Sequence, residues 1–349
     1  MSGQRDKDLW RTQNFLRDPK LVEQLVRSAG IAPSDVVYDL GAGTGVLTEA
    51  LARRGARVVA IERDPTLSSW LRRRFADRAN VSVRRADILR HPLPRSECIV
   101  FANPPFDLTS AIVRKLTAAP VPPREAYLVL QREAADRYRG EPRQTLAALL
   151  IAPWFALRIV HRFARSDFVP APAVDVVMVR LRKRGPPLVA PRHGQLYRDL
   201  VTASFVSRRP DIGASLRHIL GRSVSGRLLG TARIAPQAFP SEVSAVAWLR
   251  LFRQFVELPA AVRGRVAGAE ARLRRQQRRL QKVHRTRVPR DGLWRAPWAA
   301  PARWPRNAFG VALLRGARFD SQIRAVFRKH HVDRLRYGVS GYVAWGLPH

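Results

Sequence analysis

Apolar positions in the first half of the chain follow two alternating rhythms. Short apolar or alternating runs, "DVVYDL" (35–40), "RVVAIE" (57–62), "NVSVRRAD" (80–87), "CIVFAN" (98–103) and "AYLVLQ" (126–131), read as strands. Between them lie stretches of helical period. Asp18-Pro19, an N-cap followed by proline in the first turn, opens "KLVEQLVRSAG". "VLTEALARRG" (46–55), "PTLSSWLRRRFA" (65–76) and "TSAIVRKLT" (109–117) follow. Strands alternating with helices predict an α/β fold with a parallel, doubly wound sheet. "ALRIVHRF" (156–163) and "VDVVMVRLRKR" (174–184) predict an antiparallel edge to that sheet.

The pattern changes at Gly185-Pro186-Pro187, a linker signal, and helical periodicity then fills residues 195–257. Three regions are expected: a catalytic α/β domain over 1–185, a small all-helical domain over 186–258, and a basic extension over 259–349 rich in Arg, Pro and Trp. The extension is expected to bind RNA or to be partly disordered. From Val262 to Arg290 it carries eleven basic residues against one acid, Glu270. A charged run of this kind is either a solvated tail or a phosphate-binding arm. Trp294, Trp298 and Trp304 suit stacking on unpaired bases or packing on the neighbouring prolines.

Composition adds a partner class. The chain has 349 residues with Lys+Arg 63 against Asp+Glu 27, a formal charge of +36. Residues 1–185 hold 32 basic and 19 acidic side chains, and 186–349 hold 31 and 8. Such an excess points to a polyanion. No apolar run approaches the roughly 18 residues of a membrane span, and no signal segment opens the chain, so a cytoplasmic protein without a membrane partner is expected. The single cysteine, Cys98, excludes an intramolecular disulfide and a multi-thiolate metal site. His330-His331 is too sparse to suggest a metal, and none is expected.

The candidate chemistry sits at the ends of consecutive strands. "GAGTG" (41–45) joins a strand to a helix, where glycines admit a ligand close to the backbone and the helix offers free N–H groups. Glu62 ends the second strand, placed to accept hydrogen bonds from a ribose diol. Asp87 follows the third, placed to meet an exocyclic amine, although either acid alone also serves as a helix cap. No lysine of the Walker type follows the glycines, which argues against ATP phosphates. The fourth strand delivers "NPPF" (103–106) to the same edge. An exocyclic base amine is a poor nucleophile because its lone pair is delocalised into the ring. Asn103 and the carbonyl of Pro104 can accept its two N–H bonds, held fixed by the prolines. Phe106 can stack on a base drawn out of its helix, or it belongs to the core beside a strand-to-helix turn.

"QNFL" (13–16), "DLGAGTG", "AIERD", "ADIL", "ANPPF" and "FVPAPAVD" (168–175), in this order, make the chain resemble the rRNA adenine N6-methyltransferases over about residues 10–258. The resemblance implies S-adenosyl-L-methionine as cofactor and a Rossmann-like domain followed by a small helical one. It also implies residue roles. Gln13, Asn14 and Leu16 would line the methionine end of the cofactor site. Gly41, Gly43 and Gly45 would form its loop, Glu62 would hold the ribose, and Asp87 and Ile88 the adenine. Asn103 would serve both the methionine and the target amine, and Phe106 and Phe168 would sandwich the target adenine. "NPPFDLTSAIVRKLT" is more similar to the branch that methylates one adenine of 23S rRNA, giving macrolide, lincosamide and streptogramin B resistance. That branch implies protein-free 23S rRNA or an early assembly intermediate as partner. The alternatives are the small-subunit (16S) rRNA dimethylase, a non-catalytic RNA- or DNA-binding descendant, and a DNA adenine methylase. Asp39 stands where that family usually has Glu, and is expected to bond to a loop amide or to the cofactor amine. Arg63 stands where many relatives have a small or apolar residue.

Overall fold

In a computed structural model of the chain, residues 14–207 and 209–279 are described. They form one compact unit. After β1 (Phe15–Leu16) and α1 (Pro19–Ser28), the chain runs β2 (Val36–Leu40), α2 (Val46–Arg53), β3 (Arg57–Glu62), α3 (Pro65–Arg74), β4 (Val81–Arg85), β5 (Ile99–Ala102) and α4 (Thr109–Thr117). It continues through β6 (Glu125–Gln131), α5 (Arg132–Arg139), α6 (Leu146–Ile151), β7 (Phe155–Arg162), β8 (Phe168–Val169) and β9 (Val176–Lys183). The helical layer comprises α7 (Gly194–Val206), α8 (Ile212–Leu220), α9 (Arg222–Ala232), α10 (Ala245–Phe255), the short α11 (Ala260–Arg263) and α12 (Ala269–Arg279).

Seven strands make the main sheet, in the order β4-β3-β2-β5-β6-β9-β7. β2 pairs in parallel with both β3 and β5, so the strand order reverses at β2. β9 inserts antiparallel between β6 and β7, which gives the expected mixed edge. Both faces of the sheet are covered. Val37, Phe101, Tyr127 and Met178 pack against α1 and α2, while Leu40, Val100, Leu128 and Val179 pack against α4 and α5. Burial on both sides explains why these strands read as nearly continuous apolar runs. α1 starts where Asp18 accepts a hydrogen bond from the Lys20 amide, with Pro19 in the first turn.

A separate apolar cluster holds the helical layer together. Trp248, Tyr197 and Phe255 are completely buried there, and the Tyr197 ring meets Phe252 edge-on at 5.2 Å. Leu149 of α6 belongs to the same cluster, and its carbonyl accepts from the Tyr197 hydroxyl. The Gly185-Pro186-Pro187 segment is tied down as well: the amides flanking it, Arg184 and Leu188, donate to Trp154 and Pro153.

Residues beyond Pro259 continue this layer. Val266 is fully buried, and Asp199 of α7, 4% exposed, accepts from the amides of Gly268 and Glu270 at the start of α12. Residues 280–349 lie outside the described part, including the three tryptophans and four of the eleven basic residues of the Val262–Arg290 run. Gln13 does too. Among the described residues no helix is long and apolar enough to cross a membrane.

Candidate active site

At the carboxyl ends of β2, β3 and β5, where the strand order reverses, the structure opens a cleft. Open α/β sheets bind ligands at such a switch point because the two loops leaving adjacent strands diverge there. Gly41, Gly43, Glu62, Asp87 and Asn103 all line it, from four different strand ends. Asn14, Leu16 and Ile88 line it too.

Each polar group arrives with part of its bonding capacity in use. Glu62, 6% exposed, accepts from the Gly43 amide at 2.9 Å through Oε2 and from the Asp64 amide at 2.8 Å through Oε1. A carboxylate offers about four lone-pair sites, so two remain for a diol. Asp87 Oδ1 accepts from the Leu89 amide at 2.7 Å, capping the turn that follows β4. Its Oδ2 lies 3.8 Å from the guanidinium of Arg63, an exposed pair that is weak in solvent. Asp87 therefore caps a turn and also faces the cleft. Asn103 Nδ2 donates to the Asn14 carbonyl at 2.8 Å, which fixes the amide and leaves its oxygen as the group able to accept.

The glycines divide the work of the loop. Gly41 has φ +82, and a Cβ built on it would meet nothing within 4 Å, so its backbone faces open space. Gly45, with φ +79, caps α2 and is packed on α3; a Cβ there would lie 2.6 Å from Leu71 Cδ2. It does not line the cleft. Behind the loop, Asp39 is fully buried and accepts from the Thr48 hydroxyl at 2.6 Å. The expected bond to a loop amide is not made. Its Oδ1 has no partner at all. Burial pushes the Asp39 carboxyl up to about 7, against the Thr48 bond and with a further push from the Glu62 charge.

The segment around Asn14 is held by a pairing that local sequence patterns do not reveal. β1 and β8 form a two-stranded antiparallel sheet, with Phe15 opposite Val169 and Leu16 opposite Phe168. Arg17 donates its amide to Asp167, and the Asn14 side chain donates to the Pro170 carbonyl. Residues 14–17 and 167–170 are thus clipped together. In the proline turn, Asn103 and Pro105 line the cleft while Pro104 between them is buried. Phe106 opens a short 3-10 turn and is half-buried. Phe168 is 2% exposed and takes Phe163 edge-on at 5.1 Å, so its ring is packed rather than presented. Both Phe106 and Phe168 rest on one apolar cluster.

This set fits S-adenosylmethionine. Gly41 leaves room for a ligand against the backbone, Glu62 keeps free lone pairs for a ribose diol, and Asp87 keeps an oxygen for an amine beside the apolar edge of Ile88.

Comparison with known proteins agrees with this geometry. A family profile described as "Ribosomal RNA adenine dimethylase" matches residues 8–256. "Ribosomal RNA small subunit methyltransferase A" of Synechococcus sp. (strain JA-3-3Ab) is 32% identical over 250 residues, 68% of this chain and 89% of the relative. "rRNA adenine N-6-methyltransferase" of Bacillus anthracis is 31% identical over 207 residues, 59% of this chain and 71% of the relative. The crystal structure of the 23S rRNA methyltransferase ErmE superposes with a TM-score of 0.65 at 31% identity, over 70% of this chain and 100% of that one. With its glycine turn, its strand-end acids and its Asn-Pro-Pro-Phe turn assembled in one cleft, the chain belongs to the ribosomal RNA adenine dimethylase family.

Proposed function

We propose that this S-adenosylmethionine-dependent rRNA adenine N6-methyltransferase modifies one adenine of 23S rRNA, and that its product confers resistance to macrolides, lincosamides and streptogramin B. The carrying observation is the Asn103 amide, which lines the cleft at the end of β5 and is held by its Nδ2 bond to the Asn14 carbonyl. Support for the large-subunit target comes from the "NPPFDLTSAIVRKLT" segment and from the complete coverage of ErmE at 31% identity. The small-subunit reading is supported by the Synechococcus relative, whose match covers nearly the same share of this chain.

The mechanism follows from what the residues can do. The cofactor supplies a methyl already activated on a sulfonium, so the protein's task is alignment and desolvation rather than strong base catalysis. Glu62 would accept from the ribose hydroxyls and Asp87 from the cofactor's adenine amine, with Ile88 against the ring. Asn14 and Leu16 close the methionine end, together with Gln13 by resemblance. Asn103 Oδ1 and the Pro104 carbonyl accept the two N–H bonds of the target amine, which favours a pyramidal nitrogen with its lone pair free. Phe106 stacks on the extruded base, offsetting a few kcal/mol of unstacking. By resemblance Phe168 would supply the second ring of the sandwich, at a position where it is now packed against Phe163. The surplus proton on N6 leaves to solvent.

Methyl transfer from labelled cofactor tests the target. Protein-free 23S rRNA should accept label at one adenine, while small-subunit particles should stay unlabelled. A strict preference for small-subunit particles would overturn the 23S assignment.

A further inference from the structure

None of the cleft's residues contributes to a second depression, which lies in the helical layer. Ser207 and Arg209 after α7, His218 of α8, Arg265 in the turn before α12, and Arg272 and Gln276 of α12 line it. No carboxylate is among the lining residues. Among the described residues none of the three arginines has an ion pair, in contrast to Arg198 and Arg274 nearby, which both pair with the buried Glu270.

The arginines are positioned but far from saturated. Arg265 donates to the Leu220 carbonyl at 2.9 Å, at the end of α8, and Arg272 to the Ala267 carbonyl at 2.8 Å. Arg209 lies 3.5 Å from His218 Nδ1. A guanidinium carries five N–H donors, so most remain available. Ser207 Oγ, at the same wall, is buried without a hydrogen-bond partner. Like charges gathered around one concave surface repel, and an anion in the depression relieves that repulsion while filling the forked donors.

The wall is built into the fold. Asp199 and Glu270 anchor α12, as described above, and Arg265 is tied to α8. Arg265, Arg272 and Gln276 also lie beyond residue 256, where the family match ends.

We propose that this depression is a seat for the phosphodiester backbone of the RNA substrate, gripping a segment other than the one whose adenine enters the cleft. The seat is completed by α12 and the turn before it, past the end of the family match. The proposal rests on RNA being the substrate, but not on the 23S target.

The test is equilibrium binding of a labelled protein-free rRNA fragment to the full chain across a KCl series. The variants are Arg209→Gln, the triple Arg209→Gln/Arg265→Gln/Arg272→Gln, and the corresponding triple lysine variant. Each phosphate contact contributes roughly 0.7–0.9 to the slope of log K against log salt. The triple glutamine variant should flatten that slope by about 2 and the single variant by about 0.7–0.9. The lysine variant, which keeps the charges, should restore it, and cofactor affinity should not move in any of them. Arg265 and Arg272 also bond to backbone carbonyls, so if the triple variant does not fold, Arg209→Gln decides the matter. Unchanged slopes in glutamine variants of native thermal stability would overturn the proposal. Binding is read rather than turnover, so failure to methylate 23S rRNA leaves this test intact.

Discussion

A single buried carboxyl ties the stability of the fold to pH. Asp39 sits behind the glycine turn with one oxygen on Thr48 and the other unpaired, and its pKa is raised from the ordinary 3.8 to about 7. The folded, cofactor-free protein therefore holds a proton there that the unfolded chain releases. More protons bound in the folded state means that stability falls as pH rises through the window from about 4 to about 7. Asp39→Asn removes the titration. Thermal unfolding of the cofactor-free protein should show the wild type losing ground to Asp39→Asn as pH rises through that window, with the difference flat above it. Parallel curves from pH 4 to 8 would contradict the assignment. The identity of the strand-end acids was legible in the sequence because Glu62 ends β3 and Asp87 stands two residues past the end of β4. The roles of their individual oxygens were not. That Asp39 bonds Thr48 rather than the loop, and that Gly45 is packed on Leu71 rather than facing the ligand, depends on how α2 and α3 sit on the sheet.

Among the elements, α12 departs most from its sequence reading. Residues 271–279 look like the beginning of a basic tail, because five arginines dominate the local pattern. What makes them a fixed helix is long-range: Asp199, about seventy positions earlier, accepts from the amides of Gly268 and Glu270, and Val266 enters the helical core. The β1–β8 clip escaped detection for the same reason, since two-residue strands carry no periodicity and their partners are far apart in sequence. The long parallel strands, by contrast, were legible to within a residue or two from apolar runs and helix caps alone. The position of a truncation should expose the difference. Ending the chain after Pro259 strips Val266 from the core, a loss of about 1.5–3 kcal/mol, which lowers Tm by roughly 3–12 °C for a domain of this size. Ending it after Arg279 keeps Val266 and α12 and should avoid that loss. That second truncation removes 14 basic and three acidic residues, so it should still flatten the salt dependence of RNA binding. Equal Tm values for the two truncated proteins would show that α12 is dispensable to the fold.

At the scale of the whole molecule, the cleft and the cationic depression divide recognition into a chemical part and an electrostatic part. In the proposed mechanism the cleft would read one base through the Asn103 amide and the Phe106 ring, which requires few charges. The net charge of +36 acts elsewhere, on the backbone of a long RNA. This division makes Asn103 a clean probe, because its removal deletes the acceptor for the target amine while leaving the basic surfaces in place. The most direct test is primer extension on 23S rRNA from cells expressing the wild-type chain or Asn103→Ala, with mass spectrometry of the digested rRNA alongside. Two methyl groups on N6 block Watson–Crick pairing and stop the polymerase, and a single methyl is registered by its mass. A modification at one adenine of 23S rRNA in the wild type, at least about 100-fold weaker in the variant, is the predicted result. Unmodified 23S rRNA in both, or methyl groups only on small-subunit rRNA, would contradict the account.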